Sequence, residues 1–170
     1  MSAGLIETLG RERKYHFFDS FEGLPPAQEI DGSTALQWQN NTSSKVYFNN
    51  CSASEEQFME TVRRTGIEAG NLNVYKGFFE TTVPPSDTGP IALLRLDGDW
   101  YESTICCLRA LFPRLVPGGL LIIDDYGVWD GCTRAVHDYL SAQSRPEPIE
   151  RFGSTGVAFV RLREAKDMQA

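Results

Sequence analysis

Long apolar runs are what this sequence most plainly lacks. Its two strongest, "IALLRLD" and "GGLLIIDD", fall far short of the ~20 residues that a membrane-spanning helix requires. Basic charge is scarce as well: 16 Lys and Arg stand against 23 Asp and Glu, for a net charge of -7. A chain with that balance offers no basic face to a nucleic-acid backbone or an anionic bilayer, so neither is expected as a partner. Cysteine is limited to Cys51, Cys106, Cys107 and Cys132, with no CxxC spacing. That argues against zinc and against a disulfide framework, and for buried reduced thiols. The N-terminal "MSAGLIETLGRERKY" has no basic region followed by an apolar core, so it does not read as a signal peptide and the cytoplasm is the expected compartment. Histidine occurs twice, at His16 and His137. One falls inside a strand pattern and the other on a helix pattern, and neither is assigned a role.

What is present fits one domain over 1–170, long enough to bury roughly 70% of its unfolded surface. Apolar segments alternate with helical patterns, which predicts an α/β fold around a mostly parallel sheet. Strands are expected at 14–19 ("KYHFFD"), 71–77 ("NLNVYKG"), "IALLRLD" and "GGLLIIDD". The closing "IERFGSTGVAFVRL" reads as two strands joined by a turn, giving an antiparallel C-terminal edge. Helices are expected over 54–65, where Ser54 and Gln57 form a capping box, over 102–115 up to Pro117-Gly118-Gly119, and over 131–143. Residues 24–50 are polar and rich in turn residues, with Trp38, Tyr47 and Phe48 as isolated anchors. A segment of that length reads either as a lid or substrate wall or as a flexible insertion.

The acids gather at strand ends. Asp19 closes the strand at 14–19, Asp97 and Asp99 follow "IALLRL", and Asp124 and Asp125 follow "LLII". In open α/β sheets ligands bind beyond the carboxyl ends of the strands, where several carboxylates would repel one another and resist ionisation. A hard divalent cation of the Mg2+ type removes that cost, and Asp97, Asp124 and Asp125 are the candidate ligands. Asp99 is placed to cap the helix at 102–115 instead. Asp19 stands where a nucleotide ribose would find a hydrogen-bond acceptor, the alternative being an Asx-turn into Ser20. Phosphatases of the haloacid dehalogenase type also pair Asp-x-Asp with a later Asp-Asp. They need a Thr or Val where Trp100-Tyr101 stands here, so that reading is set aside.

Taken together, "DSFEGLP", "KGFFETTVP", "LLRLDGDWYEST", "PRLVPGGLLIIDDYG" and "GCTRAV" resemble, in order and spacing, the macrocin O-methyltransferase family, over roughly residues 10–163. More distantly the chain is similar to catechol O-methyltransferase. The resemblance implies a Rossmann-like class I methyltransferase sheet. It also implies S-adenosylmethionine and Mg2+ as cofactors, and a sugar or vicinal-diol hydroxyl of a glycosylated small molecule as acceptor. Position by position it implies that Asp97, Asp124 and Asp125 bind the metal and that Asp97 is also the catalytic residue, as general base or by positioning the acceptor hydroxyl. Asp19, with Ser20 beside it, would bind the cofactor ribose, Gly77 and Phe78 would border the adenine, Asp97 would also touch the cofactor, and Asp99, Trp100 and Tyr101 would border the methionine end or the acceptor. In the family a strand and a turn of the form E-x-G-x-x-x-G-G precede the helix in which Met1 falls. The resemblance therefore implies an N-terminally truncated sheet, either gapped or closed by pairing the strand at 14–19 with that at 91–96. An exposed sheet edge would favour a homo-oligomer. The alternative function is an impaired fragment that serves as a binding or oligomerisation module.

Overall fold

The computed structural model describes residues 13–162. The alternation of apolar segments and helical patterns gives six strands and five helices there: β1 Tyr15–Asp19, α1 Gly32–Asn40, α2 Glu55–Arg63, β2 Leu72–Lys76, α3 Phe79–Thr82, β3 Ile91–Leu96, α4 Tyr101–Leu111, β4 Leu115–Ile123, α5 Asp130–Ala142, β5 Glu150–Phe152 and β6 Gly156–Val160. β1 runs parallel to β2 with Tyr15 opposite Leu72 and Asp19 opposite Lys76. β3 runs parallel to β4 with Leu96 opposite Ile123. β6 then pairs antiparallel with β4, and β5 with β6, which is the antiparallel C-terminal edge expected from the sequence. Among the described residues no helix is long and apolar enough to cross a membrane.

The burial pattern explains the layering. In β3, Leu94 and Leu96 are buried while Arg95 between them faces outward, the two-residue period of a strand with one face on a core. In β4, Leu121, Ile122 and Ile123 are all buried, as befits a strand covered on both faces. Helices α4 and α5 share one core with Leu121 and Ile123 through Leu108, Cys132 and Val136, each fully buried. The Phe112 ring packs against Tyr139 and Phe159. All four cysteines are free; Cys107 and Cys132 are buried, whereas Cys51 is exposed.

Two boundaries depart from the sequence reading. Helix α4 ends at Leu111 and tightens into a 3-10 turn over Phe112–Arg114, because Pro113 cannot donate to a continuing helix. Pro117-Gly118-Gly119 therefore does not stop the helix but lies inside β4. The register there shifts opposite Ile91–Leu93, and Gly118 adopts φ 82°, a left-handed irregularity that glycine accommodates.

β1 and β3 do not meet. Among the described residues each pairs on one side only, β1 with β2 and β3 with β4. A cavity of about 800 Å³ separates them, lined by Phe17 and Phe18 on one side and by Leu94 and Leu96 on the other. The strands nonetheless point the same way. Phe79, just past β2, packs beside Gly98, just past β3, and Asp19 and Asp97 both line the cavity. Of the two sheet arrangements anticipated from the sequence, the gapped one is found.

Residues 24–50 are folded onto this frame. The segment contains a 3-10 turn at Glu29–Asp31 and helix α1, where the sequence suggested loop. α1 escaped the sequence reading because Ala35 alone among its nine residues is buried, so no apolar stripe marks it. The segment is fastened by Asp31, which is 2% exposed and accepts hydrogen bonds from the Tyr101 N–H at 2.7 Å and the Gln28 N–H at 2.8 Å. The first of these ties the segment to the N-terminus of α4, where a carboxylate is favoured. The contact is so close that a Cβ at Gly131 would collide with the Asp31 carboxylate. Replacing Asp31 by Ala strands both N–H groups and is expected to lower stability by about 2 kcal/mol, read as a fall in urea midpoint with unchanged m-value.

Candidate active site at the strand tips

The parallel pairing of β3 and β4 continues one step past the strands, where the Asp124 N–H donates to the Leu96 carbonyl at 3.1 Å. Both acidic tips are thereby held side by side. Arg95 precedes Asp97 by two residues and so shares its strand face. Its guanidinium reaches the Asp97 carboxylate at 2.9 Å and pairs closely with Asp124. Burial works against the Arg95 charge, but Asp97 and Asp124 outweigh it and hold its pKa above the ordinary value.

With Asp124 turned toward Arg95, the carboxylates that converge are Asp97, Asp99 and Asp125, whose oxygens lie within 4.8 Å of one another. Asp99 reaches this position through a tight turn. It adopts φ 55°, and the Trp100 N–H donates to the Gly98 carbonyl at 2.6 Å. Such a left-handed non-glycine residue costs about 1–3 kcal/mol, a strain that Asp tolerates better than most. The Trp129 indole N–H donates to Asp99 at 2.8 Å. Asp99 therefore does not cap α4; the Asp31 carboxylate does. One oxygen of Asp125 is buried and has no hydrogen-bond partner.

The electrostatics follow from this crowding. Burial pushes Asp99 up to about 6, with Asp97 adding to the rise and the Trp129 N–H opposing it. Asp125 rises to about 7, again chiefly from burial, with the Asp99 and Asp97 charges next. Cys51 rises to about 11 through burial and the charges of Asp99, Asp125 and Asp97. A buried orphan oxygen among carboxylates that resist ionisation suits a hard cation with oxygen ligands.

The other expected residues border the adjoining tips of β1 and β2. The Gly77 N–H donates to the Asp19 carbonyl at 2.9 Å. Gly77 adopts φ 139°, and a Cβ there would sit 3.0 Å from Thr82 Cγ2, so a larger residue would be strained. Phe78 is 37% exposed beside it. Asp19 does form the Asx-turn, its Oδ1 accepting the Phe21 N–H at 2.7 Å. Ser20 is buried and uses its hydroxyl inside its own loop, donating to Gly23 and accepting from Glu22. His16 pairs with the Tyr75 hydroxyl and His137 with that of Tyr126, and neither belongs to the acid cluster. Arg95, Trp129, Asp31 and Cys51 were not singled out from the sequence as site residues. Of these only Arg95 carries a local signal, its two-residue offset from Asp97.

Residues 1–161 match the family described as Macrocin-O-methyltransferase (TylF). The chain is 37% identical over 149 residues to the 8-demethyl-8-(2,3-dimethoxy-alpha-L-rhamnosyl)-tetracenomycin-C 4'-O-methyltransferase of Streptomyces olivaceus, covering 85% of this chain and 54% of that protein. It is 30% identical over 157 residues to demethyldecarbamoylnovobiocin O-methyltransferase of Streptomyces niveus, covering 90% and 57%. The chain thus spans little more than half the length of these relatives. Among solved structures, the O-methyltransferase NovP superposes with a TM-score of 0.79 at 28% identity, covering 95% of this chain and 65% of that one. The fold is that of a Rossmann-like class I methyltransferase.

Proposed function

The chain belongs to the macrocin-O-methyltransferase family, and from that premise we propose that it acts in S-adenosylmethionine-dependent, Mg2+-assisted O-methylation of a sugar hydroxyl on a glycosylated small molecule. The relatives' printed substrates, a rhamnosyl tetracenomycin and a novobiocin precursor, support that acceptor class. The observation that carries the reading is the convergence of Asp97, Asp99 and Asp125, one oxygen of Asp125 being buried and unpartnered, with Asp97 lining the same cavity as Asp19.

Mg2+ would be held by Asp97 and Asp125, with Asp99 the third carboxylate of the cluster and Asp124 able to join once Arg95 releases it. Bound there, the ion would supply Lewis acidity that makes a sugar hydroxyl easier to deprotonate. The chain's own groups do the rest. Asp97, the most exposed of the three, would take the proton of the acceptor hydroxyl. Two hydroxyls on adjacent carbons would engage the cluster together and orient the nucleophile for in-line displacement. On the cofactor side, Asp19 would accept the ribose hydroxyls, with Ser20 fixing the loop that carries it. Gly77 and Phe78 would border the adenine, and Asp99 would border the methionine end. The free cysteines suit a reducing cytoplasm.

Isothermal titration calorimetry with S-adenosylhomocysteine and Mg2+ tests this. Binding of both is expected, with Asp19→Ala weakening the nucleoside ligand about tenfold, the equivalent of ~1.4 kcal/mol, and leaving Mg2+ uptake intact. A folded chain that takes up neither would sink the proposal.

A further inference from the structure

The three tryptophans of the chain form one cluster, in which Trp100 and Trp38 meet the Trp129 ring edge-on at 5.2 and 5.8 Å. A buried indole N–H needs an acceptor, and each of the three has one. Trp38 donates to the Val46 carbonyl and Trp100 to the Pro25 carbonyl, so both fasten segment 24–50 by its backbone. Trp129 departs from that pattern. Its N–H donates to a side chain of the acid cluster, Asp99 Oδ1 at 2.8 Å.

The same residue reaches the cluster a second time, through its backbone. The Trp129 N–H and the Val128 N–H both donate to the Asp125 carbonyl, at 3.1 and 3.0 Å. Trp129 thus straps the tip of β3 to the tip of β4, at Asp99 by its side chain and at Asp125 by its main chain. The strap is itself anchored. The Gly127 N–H donates to the Thr155 carbonyl at 2.7 Å, and the Thr133 hydroxyl on α5 pairs with the Tyr126 and Trp129 carbonyls. Trp129 is buried, and the two rings packed against it hold its N–H toward Asp99.

A carboxylate can offer a cation one oxygen or two, and the two common hard cations differ in which they accept. Ca2+ takes either mode in a flexible shell with oxygens at about 2.3–2.6 Å, whereas Mg2+ demands near-octahedral geometry at about 2.0–2.1 Å. A donor held to one oxygen therefore suits Mg2+, and one free to chelate with both suits Ca2+. At Asp99 the indole engages Oδ1 and the backbone is fixed in its left-handed turn, so the carboxylate is not free to swing and present both oxygens. We propose that Trp129 is the residue that sets the ion preference of the acid cluster: it holds Asp99 as a one-oxygen donor and so favours Mg2+ over the larger Ca2+. It acts through Asp99 and is a positioning residue. The inference rests on the assignment of the cluster to Mg2+ and adds what selects the ion.

The test titrates Mg2+ and Ca2+ separately into the full chain by calorimetry, in the parent and in Trp129→Phe, which keeps a ring against Trp38 and Trp100 but has no N–H. Mg2+ affinity is expected to fall about tenfold, the size usual when a group orienting a metal ligand is removed, while Ca2+ affinity stays within about twofold. The loss should vanish in an Asp99→Gly background, where glycine accepts the φ of 55° and the indole has no carboxylate to hold. A second measurement needs no substitution at 129. In the 15N-labelled protein, Trp38→Phe and Trp100→Phe identify two of the three indole N–H resonances. The remaining one, from Trp129, should move most when Mg2+ is added to the parent. A parent that binds Ca2+ as tightly as Mg2+, an Mg2+ affinity unchanged in Trp129→Phe, or equal weakening of both ions overturns the selecting role while leaving the cluster a cation site. So does a loss that persists without Asp99, or a Trp129 resonance that Mg2+ does not move. A folded parent that takes up neither ion overturns the cluster assignment and this inference with it.

Discussion

Asp125→Asn is expected to change metal-free stability and metal response in opposite directions. Asp99 and Asp125 have folded-state pKa values raised from 3.8 to about 6 and about 7. A raised carboxylate favours folding fully only below its unfolded pKa, and that contribution is lost as pH rises through the folded value. Without metal, the thermal midpoint should therefore fall as pH climbs from about 4 to about 8, with the steepest part near pH 5, between the unfolded and folded pKa values, and a levelling above about 7. An asparagine at 125 has no charge to bury and keeps the shape, so at pH 8 the metal-free variant should melt higher than the parent and show a flatter pH profile.

Mg2+ should do the reverse. At a hundredfold excess over its dissociation constant, a ligand specific for the folded state stabilises by about 2.7 kcal/mol, or about 5–11 °C for a domain of this size. That gain is expected at pH 8, should shrink toward pH 5 as protons compete for the carboxylates, and should drop below one degree in Asp125→Asn. Differential scanning calorimetry of parent and variant, with and without Mg2+, reads both effects in one series. Asp99→Asn and Asp124→Asn then divide the remaining ligand roles: the first removes a member of the observed cluster, the second only a partner of Arg95. A variant Asp125→Asn that keeps the full Mg2+ response would remove the cation from this site.

Much of this arrangement was legible in the sequence because it depends on local rules. The two-residue period of "IALLRL", the buried run "LLII" and the Ser54–Gln57 capping box each specify an element by themselves. Parallel pairing of two such strands necessarily brings their acidic tips together. The allotment of those acids was not legible. Whether Asp99 or Asp124 completes the trio depends on a left-handed turn at Asp99, on an indole N–H from Trp129 thirty residues away, and on which carboxylates Arg95 takes. All three are tertiary facts. Segment 24–50 was hidden for a related reason. Its helix has almost no apolar face, and what orders it is one buried carboxylate and a set of indoles contributed by α4's entry and by the residue before α5.

Those indoles carry the other large expected effect, at Trp100. This side chain is 2% exposed, its N–H donates to the Pro25 carbonyl at 2.8 Å, and its ring meets Trp38 and Trp129 edge-on at 6.4 and 5.2 Å. Trp100→Ala removes the common support of all three and leaves the Pro25 carbonyl without its donor. Large-to-small changes of this kind cost about 3–5 kcal/mol, which for a domain of this size is a fall of roughly 6–20 °C. The loss should not be uniform. Residues 41–51 touch the core mainly through Trp38, so limited proteolysis should cut there first, before β3, β4 and α5 are attacked. Trp100→Phe keeps a ring but not the N–H, and should recover most of the melting temperature while losing the bond to Pro25. The comparison decides what segment 24–50 is. If it is a clamped wall, Trp100→Ala lowers the midpoint by many degrees and opens 41–51 to protease. If it is a freely moving lid that merely rests here, cleavage at 41–51 is already fast in the parent and Trp100→Ala changes it little. The hydrogen bonds that Pro25 and Asp31 accept from Trp100 and Tyr101 favour the wall, because a segment fastened to the entry of α4 at two points has no free hinge about which to swing.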